Sequence, residues 1–429
     1  MLDLSKHRLS FFFIIAFFVI SATLLAIYTT RGYRLDFSTK TFKPTGLLVA
    51  SSNPPGAQVF IDGKLKTATN NTISLPPGEY KVEIKKNGFI AWEKTLLLEK
   101  ELVTQADAFL FPFVPDLKPL TFTEVQNPLI SPDNTKIVYS ISLPLHEEPG
   151  SLAGLWVVDL TDFFFNIGRE PRQIVKSNQS LDFSKANYLW LPDSRQILVE
   201  FSQPSVKYLL DPNQLNNLST LKDISASLPE LMAKWQKETQ VRENAKLSKL
   251  PVELQEILNT KATQIEFSSD QTKVLYVATS SAEIPEKLIP KVLAASTQKE
   301  SRKLEAQKLY VYDIKEDKNF LIPFNLPKPT PTPKPRSRIT PTPPPITYQL
   351  SPLIPTVPQW FPTSRHLYWI EEDKVVVCEY DGTNLTTIYS GPFVKPFVFA
   401  APGANKLVIL TQISFDKDTK PNLYSVSLR

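Results

Sequence analysis

One cysteine, Cys378, and three histidines are all that 429 residues offer of the side chains that most often bind transition metals or attack substrates. A single cysteine excludes an intramolecular disulfide and any metal framework built on paired cysteines, so burial alone must hold the fold. Cys378 closes the apolar run Val375, Val376, Val377, where it reads as a small buried hydrophobe rather than a reactive thiol. Glycine is scarce too, 12 residues against 38 prolines. No Gly-x-Ser-x-Gly elbow, phosphate-binding loop or His-Glu-x-x-His pair occurs. A surplus of one charge is also lacking. The 48 basic and 43 acidic residues are interspersed, and a net charge of +5 without a basic stripe argues against nucleic acid as a partner.

The histidines do not assemble a site on paper. His7 lies at the edge of an apolar segment, His146 in a loop beside Glu147 and Glu148, and His366 just before a strand. A hydrolase needs a nucleophile, a base and a group that orients the base, and no such set is visible. Asp416, Asp418 and the run Glu371, Glu372, Asp373 lack a calcium-loop pattern and read as solvated turns. The expectation is a protein that is not an enzyme, needs no cofactor, and has no assignable catalytic, cofactor-binding or metal-binding residue.

What is present begins with an apolar run. From Leu9 to Tyr28 no residue is charged, and 20 helical residues at about 1.5 Å each reach the ~30 Å of a bilayer's hydrocarbon. No small-x-small cleavage site follows, and no cysteine for a lipid anchor, so residues 9–29 are expected to form an uncleaved transmembrane signal-anchor. Lys6 and Arg8 before it balance Arg31 and Arg34 after it. Because a tail as short as residues 1–8 usually stays inside, the expectation is a single-pass cell-membrane protein with its later domains outside the cytoplasm.

Residues 44–113 read as a small β-sandwich. The stretch 80–84 alternates apolar and charged residues, and Val59, Phe60 and Ile61 run into Asp62 and Gly63, a two-residue hairpin signal. Pro77 and Gly78 mark another turn, and Thr95, Leu96 and Leu98 continue a weaker alternation. Residues 47–51, 53–57, 59–63, 77–80 and 88–89, in that order, resemble a PEGA domain. The resemblance departs at Pro55, where the naming motif has glutamate, and at residues 66–69, which lack the usual Gly-x-Thr-Pro turn. It implies an extracytoplasmic β module, often beside a membrane helix, with no catalytic residues.

Residues 116–429 repeat. Five segments share one spacing: 131–137 (SPDNTKI), 191–197 (LPDSRQI), 268–274 (SSDQTKV), 361–367 (FPTSRHL) and 401–407 (APGANKL). Each polar turn feeds an apolar strand, and each repeat has a later partner strand, at 155–159, 207–211, 309–313, 377–381 and 423–427. Two strands and a turn, repeated at a spacing that reaches 40 residues between Pro362 and Pro402, predict a propeller of about five blades. The Ser-Pro-Asp turns resemble those of TolB-like propellers. A strand at 120–125 is expected to pair with the C-terminal strand and close the ring.

Three insertions interrupt the repeats. Residues 213–262 read as helical: Ser227 with Glu230 suggests a capping box, the helix carries Leu231 and Trp235, and Pro251 opens a second helix with Leu254, Ile257 and Leu258. Residues 283–307 look charged and irregular. Residues 327–345, rich in Pro and Thr, read as a polyproline linker and carry Lys328, Lys334, Arg336 and Arg338, which suit an anionic polymer or a partner domain as well as a solubilising spacer. Trp156, Trp190, Trp360 and Trp369 read as core rather than as a ligand groove.

The leading expectation is therefore a membrane-anchored extracytoplasmic binding or scaffolding protein of the cell envelope. Its propeller would meet an envelope protein or a cell-wall polysaccharide. An envelope sensor signalling through the helix, and a degenerate propeller hydrolase, are the alternatives.

Overall fold

The computed structural model describes residues 8–30, 33–36, 41–142, 152–161, 170–290, 292, 295–326, 358–413 and 420–429. His7, His146, Asp416, Asp418 and the Pro/Thr-rich stretch 327–345 lie outside the described residues. Mostly β in content, the chain separates into two compact units, 1–111 with 290–299 and 112–289 with 300–429.

The first unit opens with helix α1 (Arg8–Thr30) and a short hairpin of Tyr33–Asp36 with Thr41–Pro44. Side chains of α1 are described from Phe11 to Ile27, and the large apolar ones are exposed all around the helix. Among the described residues no helix is long and apolar enough to cross a membrane. The 17 residues from Phe11 to Ile27 cover about 26 Å at ~1.5 Å per residue, short of a ~30 Å hydrocarbon core, so the expected span at 9–29 depends on residues beyond them.

Two sheets then pack face to face. One runs Lys64–Ala68, Gln58–Ile61, Gly78–Lys85, Trp92–Leu98; the other runs Asn71–Leu75, Gly46–Asn53, Val103–Phe109, with the last two strands parallel. Strand alternation points Leu48, Val59, Ile61, Val82, Ile84, Trp92 and Leu98 into one core. Asp62 and Gly63 both have positive φ, 50° and 74°, the backbone of a two-residue turn whose twist suits the strands it joins. Thr69, in the loop that departs from the usual turn, accepts from Ala57 N at 2.9 Å and bonds Ser52 Oγ at 2.7 Å. In this unit Leu97 N also donates to Thr297 Oγ1 at 3.2 Å and Gln298 Nε2 to Thr95 O at 2.8 Å, so part of an exposed strand edge is occupied.

The second unit is built of five antiparallel sheets in chain order. The first blade is Gln126–Ile130, Lys136–Ile141, Gly154–Asp159 and Arg172–Lys176; the second is Asn187–Trp190, Ile197–Phe201 and Val206–Leu210. The third is Ala262–Phe267, Lys273–Ala278, Leu309–Asp313 and Lys318–Leu321. The fourth is Gln359–Trp360, His366–Glu371, Lys374–Glu379 and Thr386–Ser390. The fifth joins Val398–Ala400, Lys406–Thr411 and Asn422–Ser427 to Leu117–Pro119 from the start of the unit.

The five sequence repeats are five copies of one turn. Its fourth residue is left-handed every time, with φ of 57° at Asn134, 59° at Ser194, 56° at Gln271, 57° at Ser364 and 53° at Ala404. In each copy the first residue's N–H meets the carbonyl of the sixth, as in Ser131 N to Lys136 O at 2.8 Å and Phe361 N to His366 O at 2.8 Å. Turns of adjacent blades also touch: Asp133 N donates to Ser194 Oγ, and Asp270 N to Ser364 Oγ, both at 3.1 Å. First strands are tied as well, by Trp190 Nε1 to Leu129 O at 3.0 Å and Trp360 Nε1 to Glu266 O at 3.1 Å, which makes them the inner wall of the stack.

Closure comes from three residues earlier than the sequence suggests. Leu117, Lys118 and Pro119 pair with Val426, Ser425 and Tyr424, whereas 120–125 forms no ladder but is tied to the strand by Leu120 N to Leu423 O, Leu423 N to Thr121 Oγ1 and Val125 N to Pro421 O. Pro119 is tolerated because an outermost strand needs no inward donor there.

Three junctions between neighbouring blades share one apolar core each, and a fourth is filled differently. Ile137 and Tyr139 pack with Val408 and Leu423 of the fifth blade; Val138 and Leu155 with Tyr188 and Val199 of the second; Leu275 and Val311 with Leu367 and Trp369 of the fourth. The facing sides of the second and third blades are instead covered by helices α2 (Leu228–Leu247) and α3 (Val252–Lys261). Leu228, Met232 and Trp235 of α2 lie on Leu189, Leu191, Leu198 and Leu209, and Leu250, Leu254 and Leu258 lie on Val274, Tyr276 and Tyr310. The predicted capping box is absent: Ser227 has helical backbone, its hydroxyl meets Ile224 O at 3.3 Å, and the preceding turn already donates Leu228 N to Ile224 O.

Residues 283–307, expected to be irregular, contain a short hairpin of Ala282–Glu283 with Lys303–Leu304 whose Ile284 and Leu304 enter the core of the third blade. A close approach fixes Gly154, at φ 143°, where an added Cβ would sit 2.0 Å from Val175 O. Gly154→Ala is expected to cost about 3 kcal/mol, read from urea unfolding, because the backbone of the outer strand must move.

Candidate functional site

The helical wedge leaves a cavity. Past Trp235, α2 diverges from the second blade, and Leu189, Trp190, Leu191 and Pro192 face Met232, Trp235, Gln236, Thr239, Gln240 and Glu243 across about 520 Å³. The helix residues recur every three or four positions, so they share one face of α2. Trp190 is held rigid by its bond to Leu129 O and forms the floor. The wall from α2 is different: among the described residues the indole N–H of Trp235, the hydroxyl of Thr239 and the amides of Gln236 and Gln240 have no hydrogen-bond partner, and Glu243 has no ion pair. The groove thus offers aromatic and aliphatic surface beside unused donors, the usual make-up of a binding site.

A second feature lies on the inner wall. Glu266, on the first strand of the third blade, keeps an open surface, yet the protein atoms around it push its carboxyl up from 4.5 to about 7, with Lys246 of α2 pulling the other way. Tyr368 of the fourth blade is near enough to feel its charge. Since folding raises this value, the stability it contributes is complete below pH 4.5 and is lost as pH rises through about 7. Glu266→Gln should therefore match the parent in melting temperature near pH 5 and exceed it by pH 8, which thermal scans across that range will test.

Beneath the third blade a buried polar network fixes the insertion. Asp317 accepts from Tyr312 Oη at 2.7 Å, Leu288 N at 2.8 Å and Arg302 Nη1 at 3.2 Å, and Arg302 also reaches Pro285 O at 2.6 Å. Tyr276 Oη meets Asn319 Oδ1 at 2.8 Å. Lys273 pairs with Asp313 at 3.4 Å and lies 4.6 Å from the centre of the Tyr380 ring. These groups satisfy one another, so their chemistry is structural.

The residues singled out in the sequence fall apart rather than together. His366 is the first residue of its strand, buried, with Nδ1 2.9 Å from Thr363 Oγ1 and its ring edge-on to Phe361, so it is a core group and not a residue ahead of the strand. Cys378 is fully buried, and burial drives its thiol well above the ordinary range. Glu371 ends its strand and Asp373 pairs with Lys395 at 2.7 Å. Trp190, Trp360 and Trp369 are buried. Among the described residues no three His, Cys, Asp or Glu converge as metal ligands. Leu191 and Pro192 were legible as the start of the second repeat and Trp190 and Trp235 as aromatics, but nothing marked the other groove residues, because the cavity depends on where α2 packs.

Residues 45–111 match the PEGA domain model, in keeping with the resemblance seen in the sequence. No curated protein matches the chain. Among solved structures, the chain is similar to a putative TolB from Agrobacterium tumefaciens at 12% identity, over 70% of this chain and 78% of that one, with a TM-score of 0.21. It is also similar to TolB from Acinetobacter baumannii at 9% identity, over 81% and 59%, with a TM-score of 0.20. A third is the β-propeller domain of the Trilobed protease from Pyrococcus furiosus, which has an open velcro topology: 10% identity, 90% and 96%, TM-score 0.18. The propeller character of the second unit rests on its own five sheets and their stacking.

Proposed function

We propose that the chain is a membrane-anchored, non-enzymatic envelope protein whose propeller is a protein-binding module, with α1 as the anchor and the PEGA domain as an extracytoplasmic spacer. The observation that carries this reading is the groove between α2 and the second blade, apolar and aromatic, with Trp235, Gln236, Thr239 and Gln240 along one helix face that have no hydrogen-bond partner among the described residues. The anchor is supported by the uncharged run from Leu9 to Tyr28 and by the outward apolar side chains of α1, which suit lipid better than water. Long folded domains cross with little regard to flanking charge, which favours residues beyond the helix lying outside.

Two measurements test it. A C-terminal tag should be lost to added protease in intact cells or opened spheroplasts; protection until the membrane is lysed would overturn the topology. The full chain, purified from solubilised membranes, should bring down an envelope protein that a version lacking 116–429 does not. An identical set of companions for both would remove the propeller as the binding module.

A further inference from the structure

The groove on α2 is unusual in what it lacks. Its polar rim supplies donors from Trp235, Thr239, Gln236 and Gln240, while Glu243 at its end is the one carboxylate. Trp235 N–H can only donate, whereas Thr239, Gln236 and Gln240 both donate and accept, so a ligand that suits the groove brings a carbonyl for the indole, apolar rings for the Trp190–Trp235 surface, and a positive charge for Glu243. A proline-rich chain has that chemistry, because each proline contributes a carbonyl and a pyrrolidine ring but no N–H, and the polyproline II form costs it little entropy. Aromatic grooves with an indole donor are a general solution for such chains.

The chain contains such a segment. Residues 327–345 hold nine prolines, Lys328, Lys334, Arg336 and Arg338, and no acidic residue. Their charge complements Glu243. Between Leu326 and Pro358 lie 31 residues outside the described structure, on the order of 100 Å if extended at about 3.1 Å each. Tethered at both Leu326 and Pro358, it can extend at most about 50 Å before turning back, which is comparable with the breadth of a ~300-residue unit whose radius of gyration is about 19 Å.

We propose that the groove between α2 and the second blade is a polyproline II binding site and that its occupant is the chain's own Pro/Thr-rich stretch, residues 327–345. The inference rests on the reading of the propeller as a binding module and names the chemistry of its ligand. A partner that takes the groove would then do so by displacing this segment, so it too would present an extended, basic, proline-rich peptide.

The test uses the full chain, a variant with 327–345 replaced by a Gly/Ser sequence of equal length, and a fluorescent synthetic peptide of residues 327–345. The peptide is expected to bind the replaced chain and to bind the intact chain at least tenfold more weakly, since the resident segment competes. In the replaced background, Trp235→Ala and Gln240→Arg should each weaken binding at least tenfold; Gln240 is exposed, so the second substitution reports even if the first disturbs the fold. No binding to the replaced chain, equal affinity for intact and replaced chains, or binding indifferent to both substitutions would each overturn the proposal. If the peptide fails while a propeller-dependent envelope partner is still recovered, this occupant is wrong and the binding module stands. Peptide binding without any such partner leaves the groove assignment in place and removes the module's envelope role.

Discussion

Replacing Asp317 by alanine is expected to destabilise the second unit by about 2–3 kcal/mol, because it leaves the buried Tyr312 phenol and Leu288 N–H without their acceptor, while Arg302 keeps Glu300 and Pro285 O. Asp317 is the shared acceptor for Tyr312, Leu288 N and Arg302, and it turns the chain at φ 51°, which aspartate tolerates better than alanine. Arg302 reaches the backbone of Pro285 as well, so the loss loosens the insertion together with the blade. Asp317→Asn keeps an acceptor and the turn, and should recover more than half of the loss. Urea unfolding of both variants decides the matter: a cost below 1 kcal/mol for alanine would mean that water replaces the carboxylate and that the network is not closed.

The second large effect concerns the strand that is shared by both ends of the ring. Removing 422–429 takes away Leu423, Val426 and Leu428, all fully buried, and leaves Leu117–Pro119 without a partner. At about 1.5–3 kcal/mol for each of the three buried aliphatic side chains, the loss is about 4.5–9 kcal/mol, comparable with the whole stability of a typical domain, about 5–15 kcal/mol. The truncated second unit is expected to show no cooperative thermal transition and to be digested rapidly by protease. A single residue gives a milder version: Leu423→Ala should cost about 2–5 kcal/mol. A sharp transition in the truncated chain would show that four blades and the helical wedge hold together without the fifth.

The repeats were legible because a left-handed fourth residue must be followed at once by a buried strand, and that pairing leaves a polar-then-apolar signature in all five copies. Asn134, Ser194 and Ser364 suit that backbone; Ala404 keeps it without a helpful side chain, which is why the last copy reads so faintly. The small sandwich was legible for a similar reason, in Asp62 with Gly63 and in the alternation of 80–84. What stayed hidden was long-range. Arg302 lies in the stretch 283–307 that reads only as charged and irregular, and nothing local ties it to Asp317, which the fold sets 3.2 Å away. The capping box at Ser227 and Glu230 misled because the pattern is local, while the start of α2 is set by a turn continuing from Ile224. Trp235 could be placed on a helix, but the cavity beside it exists only because α2 leaves the second blade before its own end.

The fifth blade has a consequence for how this molecule comes into being. One of its strands belongs to residues 117–119 and the others to residues 398–427, so the ring cannot be finished until nearly the whole second unit has been synthesised. Until then the earlier blades wait with an unpaired margin, open to the wrong neighbour.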